Sequence, residues 1–284
     1  RGQNIAGAPG QNLMPFSAIG GGRSRYKTDS HVDADGFSLL LGLGRRTPLD
    51  AADLSLGAFL ETGWGSYASY NSFDSLPSVK GEGDTSYYGA GLLGRYETPA
   101  GPGGAYGEAS VRIGRAKTDF HSQDILNSEG GETAYNTSAP YYGAHAGAGY
   151  VWNLSGQAGL DFSSKFIWTR QAGDSVNISG DEIRFEDSDS RRLRSGARFS
   201  YAVNEYIAPY AGAYCDYEFG GRARATANGD SIVAPSLRGG TGVGELGLTF
   251  KPSTTMPVSL DLGLQGYAGK REGLAGSLQA KFEF

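Results

Sequence analysis

The residues of this chain that could do chemistry are charged side chains that recur at every second position within short segments. In a β-strand, every second side chain lies on the same face, so this spacing predicts a charged face and an apolar face for each segment. The signs nearly balance, which predicts ion pairs between strands along a hydrated inner surface. The charged positions are Arg23, Arg25, Glu61, Arg95, Glu108, Arg112, Asp161, Lys165, Arg192, Arg194, Arg198, Asp216, Glu218, Glu245, Asp261, Lys281 and Glu283.

Side chains that typify catalytic and metal sites are scattered along the sequence. His31 and His121 fall in different predicted loops and His145 in a predicted strand, so their positions predict neither a metal centre nor a catalytic triad. Residues 242–247 match the glycine spacing of a dinucleotide-binding fingerprint, but they lie inside an alternating segment and open no helix. We therefore expect no enzyme activity, no metal and no cofactor.

The composition favours a many-stranded β-protein. Glycine contributes 46 of 284 residues, aromatic residues 12% and all hydrophobic residues only 39%. No apolar run approaches the roughly 18 residues that a transmembrane helix needs. A strand with lipid on one side and water on the other needs apolar residues at only half of its positions. The net charge of −5, without a basic cluster interleaved with aromatic residues, argues against a nucleic-acid partner.

Twelve segments with this alternation follow one another from Met14 to the end of the chain. They lie near residues 15–27, 36–46, 53–66, 85–97, 105–118, 138–152, 160–168, 192–201, 209–218, 238–250, 258–265 and 274–284. Most connections after odd-numbered segments are long and polar, and those after even-numbered segments are short, a pattern typical of outer-membrane barrels. The sequence therefore predicts an all-β fold, a 12-stranded antiparallel transmembrane β-barrel, over residues 14–284.

The last segment is predicted to close the barrel by pairing with residues 16–26. Aromatic residues recur near segment ends, where amphipathic rings favour the level of the lipid headgroups. The predicted loop-side aromatics are Trp64, Tyr67, Tyr70 and Trp168, and the predicted turn-side aromatics are Phe16, Tyr96, Tyr150, Trp152, Tyr201, Tyr206, Phe250 and Phe284.

Five blocks of sequence stand out within these segments. They are GGRSRY (21–26), DGFSLLLGLG (35–44), RLRSGAR (192–198), PYAGAY (209–214) and GVGELG (242–247). With the terminal Phe284, they resemble the C-terminal β-domain of monomeric autotransporters of Gram-negative bacteria. This resemblance implies a monomeric barrel in the outer membrane that enables secretion or surface display of an N-terminal passenger.

The resemblance also implies a set of partners. These are the lipid bilayer and lipopolysaccharide, the chain's own N-terminal passenger, periplasmic chaperones and the barrel-assembly machinery, for which Phe282 and Phe284 would form the recognition signal. Residues 1–13 are interpreted as a linker or the remnant of a segment that threads the pore. A second hypothesis is a stand-alone outer-membrane channel or porin-like barrel without a passenger.

Overall fold

A computed structural model describes residues 13–28, 30–71, 78–98, 101–126, 130–178, 180–232, 235–253 and 258–282, which form strands and their connections. The strands are β1 (Leu13–Lys27), β2 (His31–Leu49), β3 (Ala52–Asn71), β4 (Val79–Glu97), β5 (Gly103–Leu126), β6 (Glu132–Asn153), β7 (Ala158–Gln171), β8 (Asp174–Ile178), β9 (Asp181–Phe185), β10 (Ser188–Tyr201), β11 (Ile207–Glu218), β12 (Ala225–Ala227), β13 (Asp230–Ile232), β14 (Gly239–Phe250), β15 (Val258–Gly269) and β16 (Arg271–Phe282). No helix in this part of the chain is long and apolar enough to cross a membrane.

Twelve of the described strands close an antiparallel barrel, in the order β1-β16-β15-β14-β11-β10-β7-β6-β5-β4-β3-β2. The first and last barrel strands pair directly. Phe16 lies opposite Lys281 at one end of this pair, and Tyr26 lies opposite Arg271 at the other. The predicted fold class, strand number and closing pair are confirmed. Residues 1–12 lie outside the described part, so their assignment to a linker stays a prediction.

The alternation along each barrel strand separates an exposed apolar surface from a polar interior. Leu60, Leu92 and Leu246 point outward with 60–66% of their surface exposed, whereas the neighbouring Glu61 and Glu245 are 7% and 6% exposed. Burying a carboxylate while exposing leucine is unfavourable in water, but it is the stable arrangement when hydrocarbon surrounds the barrel and water fills it.

The barrel strands continue well beyond the segments that the sequence predicted. β3 and β4 extend to a connection at residues 72–78, where a loop was predicted over 66–85, and β5 and β6 extend through most of a loop predicted over 119–137. At about 3.4 Å per residue, the 24 residues of β5 span roughly 80 Å, far more than an apolar band about 25 Å tall. Both faces of these extensions meet water, so the apolar alternation that marks a strand disappears while the backbone ladder continues.

Four short strands arise within the two connections that remain long, 172–187 and 219–238, both predicted as loops. They form a separate sheet in the order β13-β12-β9-β8. Phe185 of β9 lies 5.4 Å from Tyr135 of β6, which stacks on Phe120 of β5 at 4.8 Å between ring centroids. The small sheet is therefore packed against the extended β5–β6 hairpin on the loop side of the barrel.

The structure reverses the predicted faces of β1. Phe16 points inward above Gly42, where an added Cβ would lie 2.2 Å from the Phe16 ring. Arg23 lies opposite the outward-facing Leu274, which is 61% exposed, and Arg25 shares its outward parity. The prediction that Arg23 and Arg25 line the lumen was therefore wrong. Gly42 on the neighbouring strand leaves room for the Phe16 ring inside the barrel. Arg23 and Arg25 lie near the loop end of β1, beyond the apolar band, where outward-facing cations reach polar surroundings.

Candidate functional site: the barrel lumen

The lumen gathers charged residues from most of the barrel strands. These residues alternate with exposed outward apolar side chains, and the strand registers place them on the inner face. Glu283 and Phe284 lie outside the described residues, and Phe282 is the last residue of β16. The predicted lumen residues found on the inner face are Glu61, Arg95, Glu108, Arg112, Asp161, Lys165, Arg192, Arg194, Arg198, Asp216, Glu218, Glu245, Asp261 and Lys281.

Glu61 is the centre of a buried cluster that joins strands that are not neighbours. The Tyr141 hydroxyl on β6 donates a 2.6 Å hydrogen bond to Glu61 Oε1 on β3, and Arg112 on β5 lies 3.3 Å from Glu61 Oε2. The phenol reaches this far because Gly114 and Gly89 occupy the two intervening strands, and a Cβ on either would lie 2.5 Å or less from the phenol group. The cluster therefore links β3, β5 and β6 through side chains and passes over β4 at Gly89.

A second cluster surrounds Glu108. Arg95 lies 3.0 Å from Glu108 Oε2, and Lys165 forms an ion pair with Oε1. The Tyr106 hydroxyl donates to Asp161 Oδ1 at 3.0 Å, and the Arg95 guanidinium lies 4.0 Å from the Tyr106 ring centroid. Glu108 thus has two cationic partners, one of which, Arg95, also pairs with Glu97 at 2.7 Å, while Asp161 is held by the Tyr106 hydroxyl.

Glu245 is the centre of the third cluster. Arg198 donates to both of its carboxylate oxygens at 3.0 Å, and the Tyr214 hydroxyl and the Gln265 amide donate at 3.2 and 2.9 Å. Arg198 also lies 4.3 Å from the ring centroid of Tyr210, whose hydroxyl donates to Asp261 at 2.9 Å. The acceptor sites of Glu245 are therefore occupied by donors from β10, β11 and β15.

Four more of the predicted charges form pairs nearer the loops. Arg194 donates to both oxygens of Asp216 at 2.7 and 2.8 Å, a bidentate pair with strong geometric preference. Arg192 lies 3.6 Å from Glu218, which also accepts from the Ser190 hydroxyl at 2.7 Å. Most charged side chains along this wall therefore have partners of opposite sign, whereas Asp161 and Asp261 accept from hydroxyl groups.

Glycines and large side chains alternate along one row of inward positions that crosses six strands. Each large side chain of this row lies over the glycine of the next strand, where a Cβ would come within 2.2–2.4 Å of it. The rings and the guanidinium therefore lie along the wall instead of projecting across the lumen. The row consists of Phe16, Gly42, Phe59, Gly91, Arg112 and Gly143.

One lumen residue that sequence reasoning missed is Arg271. Its guanidinium lies 3.7 Å from the Tyr267 ring centroid and donates to the Ser24 hydroxyl at 2.9 Å. The sequence predicted a loop over 269–273, whereas Lys270 alone connects β15 to β16. The available signal was the position of Arg271 opposite Tyr26, which follows if the alternation of β16 is extended back by three residues.

The strands that close the barrel present a different inner surface. Between Gly273 and Gln279 on β16, Phe16 and Tyr26 on β1, and Val32 and Gly44 on β2, no inward position carries a charge. Glycine, alanine and serine predominate, and a cavity of about 570 Å³ lies against these strands. We call this surface the small-residue wall. Its central residues are Ala18, Gly20, Gly22, Ser24, Ala34, Gly36, Ser38, Ala275 and Ser277.

Comparison with known proteins identifies relatives of this barrel. A family model described as the autotransporter beta-domain matches residues 16–263. The transport unit of the autotransporter AIDA-I from Escherichia coli is 16% identical, with a TM-score of 0.76 over 98% of this chain and 92% of that one. The beta domain of the Bordetella autotransporter BrkA is 15% identical, with a TM-score of 0.74 over 96% and 100%. The translocator domain of NalP from Neisseria meningitidis is 14% identical, with a TM-score of 0.68 over 97% and 89%. No curated protein sequence matches this chain.

Proposed function

Because this chain belongs to the autotransporter β-domain family of the Gram-negative outer membrane, we propose that its barrel enables secretion or surface display of an N-terminal passenger. The observation that supports this most directly is the lumen wall, on which most charges have an oppositely charged or polar partner and the small-residue wall carries none. A passing polypeptide would meet few free charges that could hold it. Twelve strands enclose a lumen wider than the filled interior of an eight-stranded barrel, with room for a helix or an extended chain.

The proposal extends to the partners of the domain. The exposed apolar face contacts the bilayer, with lipopolysaccharide as the outer lipid, and a single chain closes the barrel, which supports a monomer. Periplasmic chaperones and the barrel-assembly machinery deliver and insert the chain, with Phe282 and Phe284 as the assembly signal. The domain itself catalyses no reaction, and its charged clusters serve to shape the wall.

A surface-display assay tests this function. A passenger with an epitope is fused before residue 1, and its exposure on intact cells is measured by antibody labelling and by added protease. We expect display with the intact domain and its loss when residues 276–284 are deleted, because both the closing strand and the assembly signal are then missing. Display that persists after this deletion would contradict the proposal.

A polar lumen also suits the alternative function, a stand-alone channel. Planar-bilayer conductance separates the two hypotheses when it is measured on the same chain that is tested for display. Large, solute-selective conductance together with absent display would favour the channel, whereas display of the fused passenger favours the translocator.

A further inference from the structure

Outward-facing basic residues gather at the loop-side edge of the apolar band. On β5, the outward positions run from Val111 and Ile113, which are 56% and 55% exposed, to Arg115 and Lys117 toward the loops. The outward faces of β1, β7 and β10 also change from apolar residues to cations in this direction. The cations on those strands are Arg23, Arg25 and Lys27 on β1, Arg170 on β7 and Arg191 on β10.

The opposite edge of the apolar band lacks this feature. Within the described strands, Arg45 of β2 is the one outward-facing cation at the turn side, where it lies opposite Leu13 and Leu56. Large aromatic residues such as Tyr96, Tyr150 and Trp152 occupy that edge instead, with 46–51% of their surface exposed. A difference in charge between the two rims indicates that the lipids they contact also differ in charge.

The outward-facing cations at the loop-side edge of the apolar band differ in whether a carboxylate already neutralises them. Arg25 forms a two-point pair with Asp33, and Arg170 pairs with Asp187. Arg115 donates instead to the carbonyl and hydroxyl oxygens of Ser138, at 3.1 and 3.3 Å. Among the described residues, no carboxylate oxygen lies within ion-pair distance of Arg115 or Lys117.

The surroundings of this pair suit the phosphate of a lipid headgroup. Tyr88, 56% exposed, lies opposite Arg115 and provides an apolar ring at the edge of the band. The outward acids on β4 and β5, Asp84 and Asp119, lie further toward the loops than Lys117. Asp174, on the far side of β6, accepts a 2.9 Å hydrogen bond from the Ser138 N–H. On the outward face of β5, the two cations therefore come directly after the apolar residues Val111 and Ile113, ahead of Asp119.

We propose that Arg115 and Lys117 form a binding site for the phosphate groups of lipopolysaccharide in the outer leaflet. The guanidinium presents a planar set of donors and the ammonium a compact charge, so both bind phosphate oxygens by charge-assisted hydrogen bonds. The acyl chains then lie along Val111, Ile113 and the outward apolar residues of β4 and β6. The site concerns the lipid surroundings of the barrel, so it does not depend on whether the barrel carries a passenger.

Binding to the folded chain in detergent tests the proposal. Native mass spectrometry or thermophoresis measures the affinity for lipid A that carries both phosphates, for lipid A with its phosphates removed, and for inorganic phosphate. The double variant Arg115→Gln and Lys117→Gln is compared with Arg45→Gln, which removes an outward cation at the other rim. Each Lys or Arg near an anionic lipid contributes roughly 1 kcal/mol, so losing both predicts about 30-fold weaker binding.

The outcomes separate the lipid site from its alternatives. The double variant should lose affinity for phosphorylated lipid A, Arg45→Gln should retain it, and added salt should weaken binding to the parent chain. Equal loss in both variants, equal binding of the dephosphorylated lipid, or equally tight binding of inorganic phosphate alone would overturn the assignment. Heat-dependent electrophoretic mobility verifies that each variant is folded, and passenger display in the same variants is expected to persist.

Discussion

The two parts of the lumen wall are built in different ways. From β3 to β15, Glu61, Glu108 and Glu245 bind side chains from several strands, so this charged arc has cross-links besides its backbone ladder. The small-residue wall of β16, β1 and β2 has few such links. Most of its inward side chains are short, and the ladder between Phe16–Tyr26 and Arg271–Lys281 supplies most of its cohesion.

This difference gives the two parts of the lumen wall different properties: the charged arc is rigid, and the small-residue wall leaves open volume. Tyr141 and Tyr210 lie over glycines of the intervening strands and reach carboxylates three and two strands away, which fills the charged arc and holds its strands in place. The small-residue wall leaves its volume empty beside the seam where the first and last strands meet. We therefore expect the charged arc to dominate the stability of the barrel and the small-residue wall to set the room available to a passenger.

Filling the small-residue wall should give the largest effect on transport. Ser38→Trp combined with Ser277→Trp places two indoles on inward positions, and we expect surface display of a fused passenger to fall several-fold while the barrel still inserts. Ser17→Trp, outward on the same β1 seam, is the matched control and should leave display unchanged. Display by the double variant at the level of the parent would show that this wall does not limit passage.

Removing the centre of a charged cluster should give the largest effect on stability. Glu245→Ala leaves Arg198 without its partner, and breaking a buried ion pair typically costs 3–5 kcal/mol. Because 37% of the Arg198 side chain is exposed, solvent screening reduces the expected loss to about 2–3 kcal/mol. Urea unfolding of the micelle-bound barrel measures this loss, with Ser277→Ala on the other wall expected to change stability by less than about 0.5 kcal/mol. Similar losses in the two variants would refute the division into a stiff and a spacious part.

A glycine-to-alanine substitution beneath an aromatic ring can be made in both parts of the lumen wall, so the resulting losses of stability can be compared directly. A Cβ at Gly247 would lie 2.2 Å from Tyr210, and a Cβ at Gly42 would lie 2.2 Å from Phe16. Overpacking of this kind costs roughly 1–3 kcal/mol. Gly247→Ala should fall at the upper end, because a displaced Tyr210 also loses its hydrogen bond to Asp261, whereas the Phe16 ring has no such bond to lose.

Thermal unfolding of both alanine variants measures this difference. Combining Gly42→Ala with Phe16→Ala should recover part of the loss at that site, although the Ala58 carbonyl oxygen, 2.7 Å from the added Cβ, limits the recovery. A larger loss for Gly42→Ala than for Gly247→Ala would reverse the expected order of the two walls.

The alternation of side chains was sufficient to predict most of the barrel. Where one face of a strand meets lipid and the other meets water, as for Leu60 beside Glu61 or Leu246 beside Glu245, the odd or even position of a residue along the strand (its parity) identifies the inner face. The register between strands is not needed for this assignment. Parity failed on β1, because Phe16 packs inside against a glycine that only the register reveals. The extensions of β5 and β6 were invisible to it, because strands with water on both faces have no apolar period.

The partners of the charges could not be predicted from the sequence at all. Glu61 and Tyr141 are 80 residues apart, and their hydrogen bond depends on glycines at two intervening strands coming into one row. Arg271 was hidden in a predicted loop, because Gly273 interrupts the alternation next to it. Parity thus predicts which face a side chain occupies, but contacts across several strands require the register of every strand between them.

The smallest expected effect concerns the ion pair between Arg170 and Asp187, which lies outside the lumen and is exposed to water. It provides a comparison with the ion pairs of the charged arc. The Gly173 N–H, which lies 2.8 Å from Asp187 Oδ1, and the Arg170 guanidinium hold the pKa of the Asp187 carboxyl below its ordinary value of 3.8. A depressed pKa means that the contribution of the pair is present above the unfolded-state pKa and is lost as pH falls through the folded-state pKa. The Gly173 amide resonance of the barrel in nanodiscs should therefore titrate with a midpoint below pH 3.8. Asp187→Asn should abolish this transition, whereas Glu245→Ala should leave it in place. A midpoint at or above 3.8 would show that exposed pairs at the loops add nothing to the stability supplied by the charged arc.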